Sequence, residues 1–332
     1  MIPTLFGITL VVFAIINLAP GSPVERRLQE MRFGGLSQTT HDRGTSKDSS
    51  GVSAEVVEAL KKQYGFDKPV HIRYFIWLKN LSRLDFGDSF TYEEPVLDVI
   101  VSKFPVSLQF GIISLILSYI VCIPLGVLKA VKHGGPFDLA SSVMLFVMYS
   151  IPGFMLAILL IVYTAGGSFF DWFPVGELYS DTYADLAFWD QIKDRVVHFI
   201  LPLICYMIGH FTVLTMLMKN SLLDEIGKDY IRTARAKGLR DKAVYLKHAL
   251  RNALIPIVTG LGGMLSVFFA GSLLLEMIFN LDGIGLMSYK AVLERDYNLI
   301  MGSMFIQSLV MLVGNLLSDL AYVAVDPRID FK

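Results

Sequence analysis

The segment Asp229-Tyr-Ile-Arg-Thr-Ala-Arg-Ala-Lys-Gly238-Leu239, followed by His248-Ala-Leu-Arg-Asn-Ala-Leu-Ile-Pro256, lies between two apolar runs, Val196–Met218 and Leu254–Phe279. Crossing a bilayer core as a helix takes about 20 apolar residues, so each run is a membrane-span candidate. The polar loop 219–253 between them carries Lys219, Lys228, Arg232, Arg235, Lys237, Arg240, Lys242, Lys247 and Arg251. Within it, Tyr230, Ile231 and Ala234 share one side of a short helix pattern, ringed by Arg232, Arg235 and Lys237. Gly238 suits a left-handed helix end. A second helix pattern, Lys242 to Leu254, leads to Pro256, near the start of the next span, where a proline is tolerated and fixes the angle of approach.

Working outward, four more runs qualify as spans: Met1–Ala19, Phe104–Val127, Leu139–Ala165 and Leu299–Val325. The 332-residue chain has a mean hydropathy of +0.55 and only 18% charged residues, below the roughly 25% of soluble domains. This reads as an all-α polytopic membrane protein with six transmembrane helices, and excludes a disordered or nucleic-acid-binding chain. The first run lacks the basic leader of a cleaved signal peptide and is too long for one. Lys129 and Lys132 after the second span, with the basic loop after the fourth, contrast with acidic loops after the third and fifth. Basic loops stay inside, so both termini are expected in the cytoplasm.

The organisation expected is a first span over 1–19, an external segment over 20–103 and a core over 104–332 that contains loop 219–253. In the external segment, Gly34 to Ser53 reads as a mobile loop. Helices are expected over Ala54–Tyr64 and from Pro69 to about Arg83, the second with an apolar face of Tyr74, Phe75, Trp77, Leu78 and Leu81. That face suits packing against the membrane bundle, or docking of a delivery protein. Ionisable groups inside spans invite a functional reading. His210, Glu276 and Asp319 are such groups, as possible pathway or subunit-interface residues. Pro124, Pro152-Gly153 and Pro202 are candidate kinks. Cys122 and Cys205 read as small buried hydrophobes. No phosphate loop, Gly-x-Ser-x-Gly elbow, His-Glu-x-x-His pair or metal-ligand cluster occurs in the sequence, so no catalytic or metal site is expected.

Charge alone allows a basic helix lying on anionic lipid. The particular residues say more. The loop, Leu84-Asp-Phe-Gly-Asp-Ser-Phe90, Gly271-Ser-Leu-Leu-Leu-Glu276, Gly283-Ile-Gly285, Arg295-Asp-Tyr297 and Asp326-Pro-Arg-Ile-Asp330 together resemble the dipeptide and oligopeptide permeases of ABC importers. The wording of the Leu84 phrase is most similar to the branch that also imports microcin C. Aligned on Gly238, the family's Glu-Ala-Ala reads Arg232-Thr233-Ala234, without the acid. The distance from Gly238 to Pro256 is long, as is usual in the peptide branch. Ahead of the first span, relatives usually carry a short basic stretch absent before Met1, which suggests a late start or a truncated chain.

The resemblance implies a type I ABC importer permease fold in a bacterial inner membrane. Its implied partners are a second homologous permease, two ABC ATPase subunits or domains, a periplasmic peptide-binding protein and the lipid bilayer, without nucleic acid. This chain would bind no cofactor; ATP and Mg would sit on the ATPases. It would be a transport subunit and not an enzyme. Tyr230, Ile231, Arg232, Thr233, Ala234, Arg235, Gly238 and Leu239 would couple to an ATPase, with apolar residues seated in its groove. The competing readings are an ion-gradient transporter, which would carry an inverted repeat that this chain lacks, a permease for a non-peptide such as nickel, a membrane enzyme, and a structural anchor.

Overall fold

The computed structural model describes residues 2–18, 21, 23–25, 57, 58, 62, 67–167, 169–260 and 271–325, without the side chains of Ile2 and 321–325. The expected loop Gly34–Ser53, nearly all of the expected helix Ala54–Tyr64, the middle of the fifth span and the C-terminal phrase lie outside these residues.

The described chain is helical. In order it forms α1 (Ile2–Leu18), α2 (Val70–Leu81), α3 (Val96–Val131), α4 (Pro136–Ser150), α5 (Gly153–Thr164), α6 (Phe188–Ile226), α7 (Asp229–Ala236) and α8 (Asp241–Ala243). A π-helical turn, Val244–Ala249, follows, then α9 (Leu250–Ala253), α10 (Ile255–Thr259), α11 (Leu273–Ile278), α12 (Ile284–Leu293) and α13 (Tyr297–Val325). Two compact units divide the chain: Met1–Lys103 with Met287–Leu309, and Phe104–Leu286 with Val310–Lys332.

Three helices among the described residues are long and apolar enough to cross a membrane: α3, α6 and Tyr297–Leu320 of α13. They hold the expected second, fourth and sixth spans. The expected third span is not one straight helix. It breaks into α4 and α5, bent by 94°. Pro152 lacks an N–H and disfavours helical backbone at the residue before it, and Ile151 is accordingly extended at φ −93°, ψ 117°. Pro124 and Pro202, by contrast, lie inside continuous helices. The first apolar run is a 17-residue helix. In the fifth, the described parts are α10 and α11, separated from each other by residues outside the description and by extended backbone at Ser272.

In the first unit, α2 packs on α1. Tyr74 is buried with Phe13 and Met301, and Trp77 and Leu78 close over them. Phe75, expected on the same face, is 68% exposed. Pro69 caps α2 rather than opening it. Asp296 is fully buried. Ser89 Oγ donates to its carboxylate at 2.6 Å, and the Thr91 and Leu299 amides donate at 3.0 Å. Two phrases 207 residues apart in sequence, around Ser89 and Asp296, therefore meet at one acid.

In the second unit, two apolar clusters form. One joins Leu214, Met218 and Leu222 of α6 to Ile231, Val244, Ala249 and Ile257. The other joins Phe110, Phe199, Cys205, Tyr206, Leu275 and Phe279. Cys122 and Cys205 are buried and unbridged, as small hydrophobes should be. Gly126 lets α3 meet α6 closely: a Cβ there would stand 2.6 Å from Met218 Cβ.

Candidate functional site

The basic loop is a folded element. Helix α6 stops at Gly227, and Lys228 turns in extended backbone to start α7. Asp229 in the first turn and Arg235 in the last complement the helix dipole. At the far end, Gly238 takes φ +79°. Its amide donates to Arg235 O at 2.9 Å, and the Leu239 amide donates to Ala234 O at 3.4 Å. These two bonds are the paired pattern of a Schellman cap, which requires a left-handed residue at that position.

The faces of α7 divide sharply. Ile231 and Ala234 are buried in the chain's own core. The expectation that they seat in a partner's groove is therefore corrected: they anchor α7 beneath α6, and their apolar surface is already spent. Tyr230 is tied inward too. Its hydroxyl and Lys228 Nζ both donate to the buried Glu225 carboxylate, and Asn252 Nδ2 donates to Tyr230 Oη at 3.1 Å. Partial burial and the adjacent Glu225 carboxylate push the Tyr230 hydroxyl up to about 12. Glu225 and Asn252, which sequence reasoning missed, thus join α6, α7 and α9.

Arg232, Thr233, Arg235, Lys237, Gly238 and Leu239 remain exposed. Arg235 also braces the loop from within. It pairs with Asp241 at 3.4 Å, donates to Tyr245 Oη at 3.0 Å and lies over the Tyr245 ring. Leu239 and Leu246 stand open at 41% and 47% exposure, the apolar points of an otherwise basic surface. The expected second helix is not uniform: its middle is the π-helical turn Val244–Ala249. Pro256 is the second residue of α10. The carbonyls near that helix's end are taken by side chains from elsewhere. Tyr119 Oη donates to Ile257 O at 3.1 Å and Ser318 Oγ to Thr259 O at 2.6 Å.

Lys219, the first residue of 219–253, belongs to a buried ionic cluster. Lys219 Nζ stands 2.7 Å from Asp138 Oδ1, and Lys129 Nζ 3.2 Å from the same atom. Lys129 has no exposed surface and also donates to Ser141 Oγ and Ser142 Oγ at 2.8 Å. Two lysines that sequence charge-counting treats as surface markers of orientation are structural, joining α3, α4 and α6.

Of the three ionisable groups inside spans, Glu276 is fully buried. Ser107 Oγ donates to it at 2.8 Å, and the Leu286 and Ser272 amides at 2.7 and 3.3 Å. The sequence phrases around it now have a cause. A Cβ on Gly271 or Gly283 would stand 2.5 Å and 2.6 Å from the Glu276 carboxyl, and one on Gly285 at 3.1 Å. His210 is half-buried on α6 and lines a cavity. Asp319 is exposed on α13, beside Ser318. The structure does not bring the three together. Among the described residues no group of acids, histidines and cysteines is arranged to hold a metal ion.

The profile of the family described as "Binding-protein-dependent transport system inner membrane component" matches residues 122–331. The "Peptidoglycan transport system permease protein YejB" of Agrobacterium fabrum is 44% identical over 100% of this chain and 96% of its own length. The "Inner membrane ABC transporter permease protein YejB" of Escherichia coli O157:H7 is 42% identical over the same shares. The "Oligopeptide transport system permease protein AppB" of Bacillus subtilis is 34% identical over 99% and 96%. A solved structure of "the MetNI methionine ABC transporter" covers 68% of this chain and 97% of its own at 17% identity, with a TM-score of 0.48.

Proposed function

This chain belongs to the family of binding-protein-dependent transport system inner membrane components, and from that premise we propose that it is a permease subunit importing oligopeptides, peptidoglycan fragments or microcin-like peptides included. The reading gives it six spans in a type I importer fold, both termini in the cytoplasm, and a second permease beside it. Two ATPases, carrying ATP and Mg, bind below, and a periplasmic peptide-binding protein docks above. The names of its relatives, permeases for peptidoglycan and oligopeptide transport, support the substrate class.

The observation that carries the mechanism is the division of α7. Its apolar face is locked into the chain's own core and its carboxylate-bound tyrosine ties it to α6 and α9. Its basic face, with Leu239 and Leu246, is open. A lever needs one rigid attachment and one free face. An ATPase gripping Arg232, Thr233, Lys237, Leu239 and Leu246 moves α7, and the buried Ile231 and Ala234 pass that motion to α6.

The test is Gly238. A Cβ there meets no described residue within 4 Å, so its φ of +79° is what is at stake. Gly238→Val, which resists left-handed backbone, is expected to abolish ATP-dependent peptide uptake in a protein that still inserts; Gly238→Asn, which tolerates it, retains uptake. Full uptake by Gly238→Val rejects the coupling role. Uptake driven by an ion gradient without any ATPase rejects the ABC reading.

A further inference from the structure

Between α5, α6 and α11 lies a cavity of about 300 Å³. A bend and a non-helical stretch of the chain meet there. Gly153, the first residue after the 94° bend, forms one part of the wall, and Gly271, at φ +73°, with the extended Ser272 ahead of α11, forms another. Non-helical backbone at membrane depth is tolerated where it is buried in protein or lines a water-filled space.

Gly209 gives independent support. It sits inside α6, where glycine costs about 1 kcal/mol against alanine, and it lines the cavity. At Gly153 packing explains the choice, since a Cβ would stand 3.1 Å from Cys205 O. At Gly209 a Cβ would meet no described residue within 4 Å. Among the described residues packing gives no reason for glycine there; keeping the space open does.

The wall is apolar at Phe154 and Leu274 and carries hydrogen-bonding groups at Tyr206, His210 and Ser272. Among the described residues no Asp, Glu, Lys or Arg lines it. A few polar groups on an apolar wall is the composition of a small-molecule site, and the size is at the lower end of that class. It offers hydrogen bonds to amides, no partner for a charged terminus, and room for a short stretch of extended chain.

We propose that this cavity is a contact site for the main-chain amides of the transported peptide, a proposal that rests on the peptide-import reading above. The test uses the assembled transporter in membrane vesicles, with Gly209→Cys and Gly209→Trp. A small water-soluble thiol reagent is expected to label the cysteine at 209, and a mixture of short transported peptides to slow that labelling. Both variants carry Cys205→Ala, because Cys205 lines the same cavity, and Cys122, fully buried in the core, stays unlabelled as the internal reference. Gly209→Trp, which fills the space, is expected to lower uptake about tenfold or more. If Gly209→Trp fails to assemble, the labelling decides. A cysteine at 209 that does not react, or reacts equally fast with peptide present, overturns the proposal while peptide uptake by the same vesicles leaves the import reading standing. Unaltered vesicles that take up no peptide overturn the import reading, and the proposal with it.

Discussion

Asp138 and Glu276 are both buried carboxylates of the second unit, and their partners differ in kind. Asp138 is met by two ammonium groups, Lys129 and Lys219. Glu276 is met by a serine hydroxyl and main-chain amides. They stand toward opposite ends of α3: Ser107 and Lys129 are 22 residues apart, about 33 Å along a helix. Charge met by charge leaves long, adjustable side chains to take up slack. Charge met by backbone fixes the path of the chain itself, and glycine is required wherever that path passes close to the carboxylate. The first is a joint between helices; the second is a knot that shapes one chain segment.

The difference has measurable consequences. The largest effect is expected at the knot. Glu276→Ala leaves the Leu286 and Ser272 amides and the Ser107 hydroxyl without an acceptor and opens a void, costing about 3–5 kcal/mol. Thermal unfolding in detergent and the yield of assembled protein read it. Glu276→Gln is expected to rescue little, because its amide turns one acceptor into a donor facing donors. A fully stable Glu276→Gln protein would break the contrast. Asp138→Asn comes next, at about 3 kcal/mol, because it strands two lysines in a low-dielectric site. Adding Lys219→Met to it should recover part of the loss in the same melt. If the second change deepens the loss, Asp138 and Lys219 do not act as a charge pair. The smallest effect is at the exposed pair of Arg235 and Asp241, where Arg235→Ala should cost under about 1 kcal/mol. The comparison sharpens if that variant melts normally yet takes up peptide poorly, since a surface charge then matters to work and not to folding.

The spans in α3, α6 and α13 were legible because a bilayer demands length and apolarity, and both are written locally. So was the left-handed turn at Gly238, a property of one residue and its neighbours. The bend at Pro152 was legible as a candidate kink, but not its size, since Pro124 and Pro202 carry the same local signal and leave their helices continuous. The inward facing of Ile231 and Ala234 was not legible. Helical spacing shows that residues share a side without saying what that side meets, and here it meets α6 and the π-helical turn. The ionic cluster was hidden by distance along the chain: Lys219 and Asp138 are 81 residues apart, and a lysine near a span end has the same letter whether exposed or buried. The knot at Glu276 left a trace in Gly271, Gly283 and Gly285, whose spacing makes sense only once the carboxylate between them is placed.

The π-helical turn Val244–Ala249 lies between α8 and α9, two short pieces of ordinary helix. A π-turn holds more residues per turn than an α-helix does. Each residue of an α-helix turns the chain by about 100°. Retightening such a segment by one residue therefore swings whatever follows through that angle, with little displacement along the axis. Upstream of Pro256 the helical register therefore shifts by about one residue, so the faces of α9 are offset from those that one unbroken helix would present.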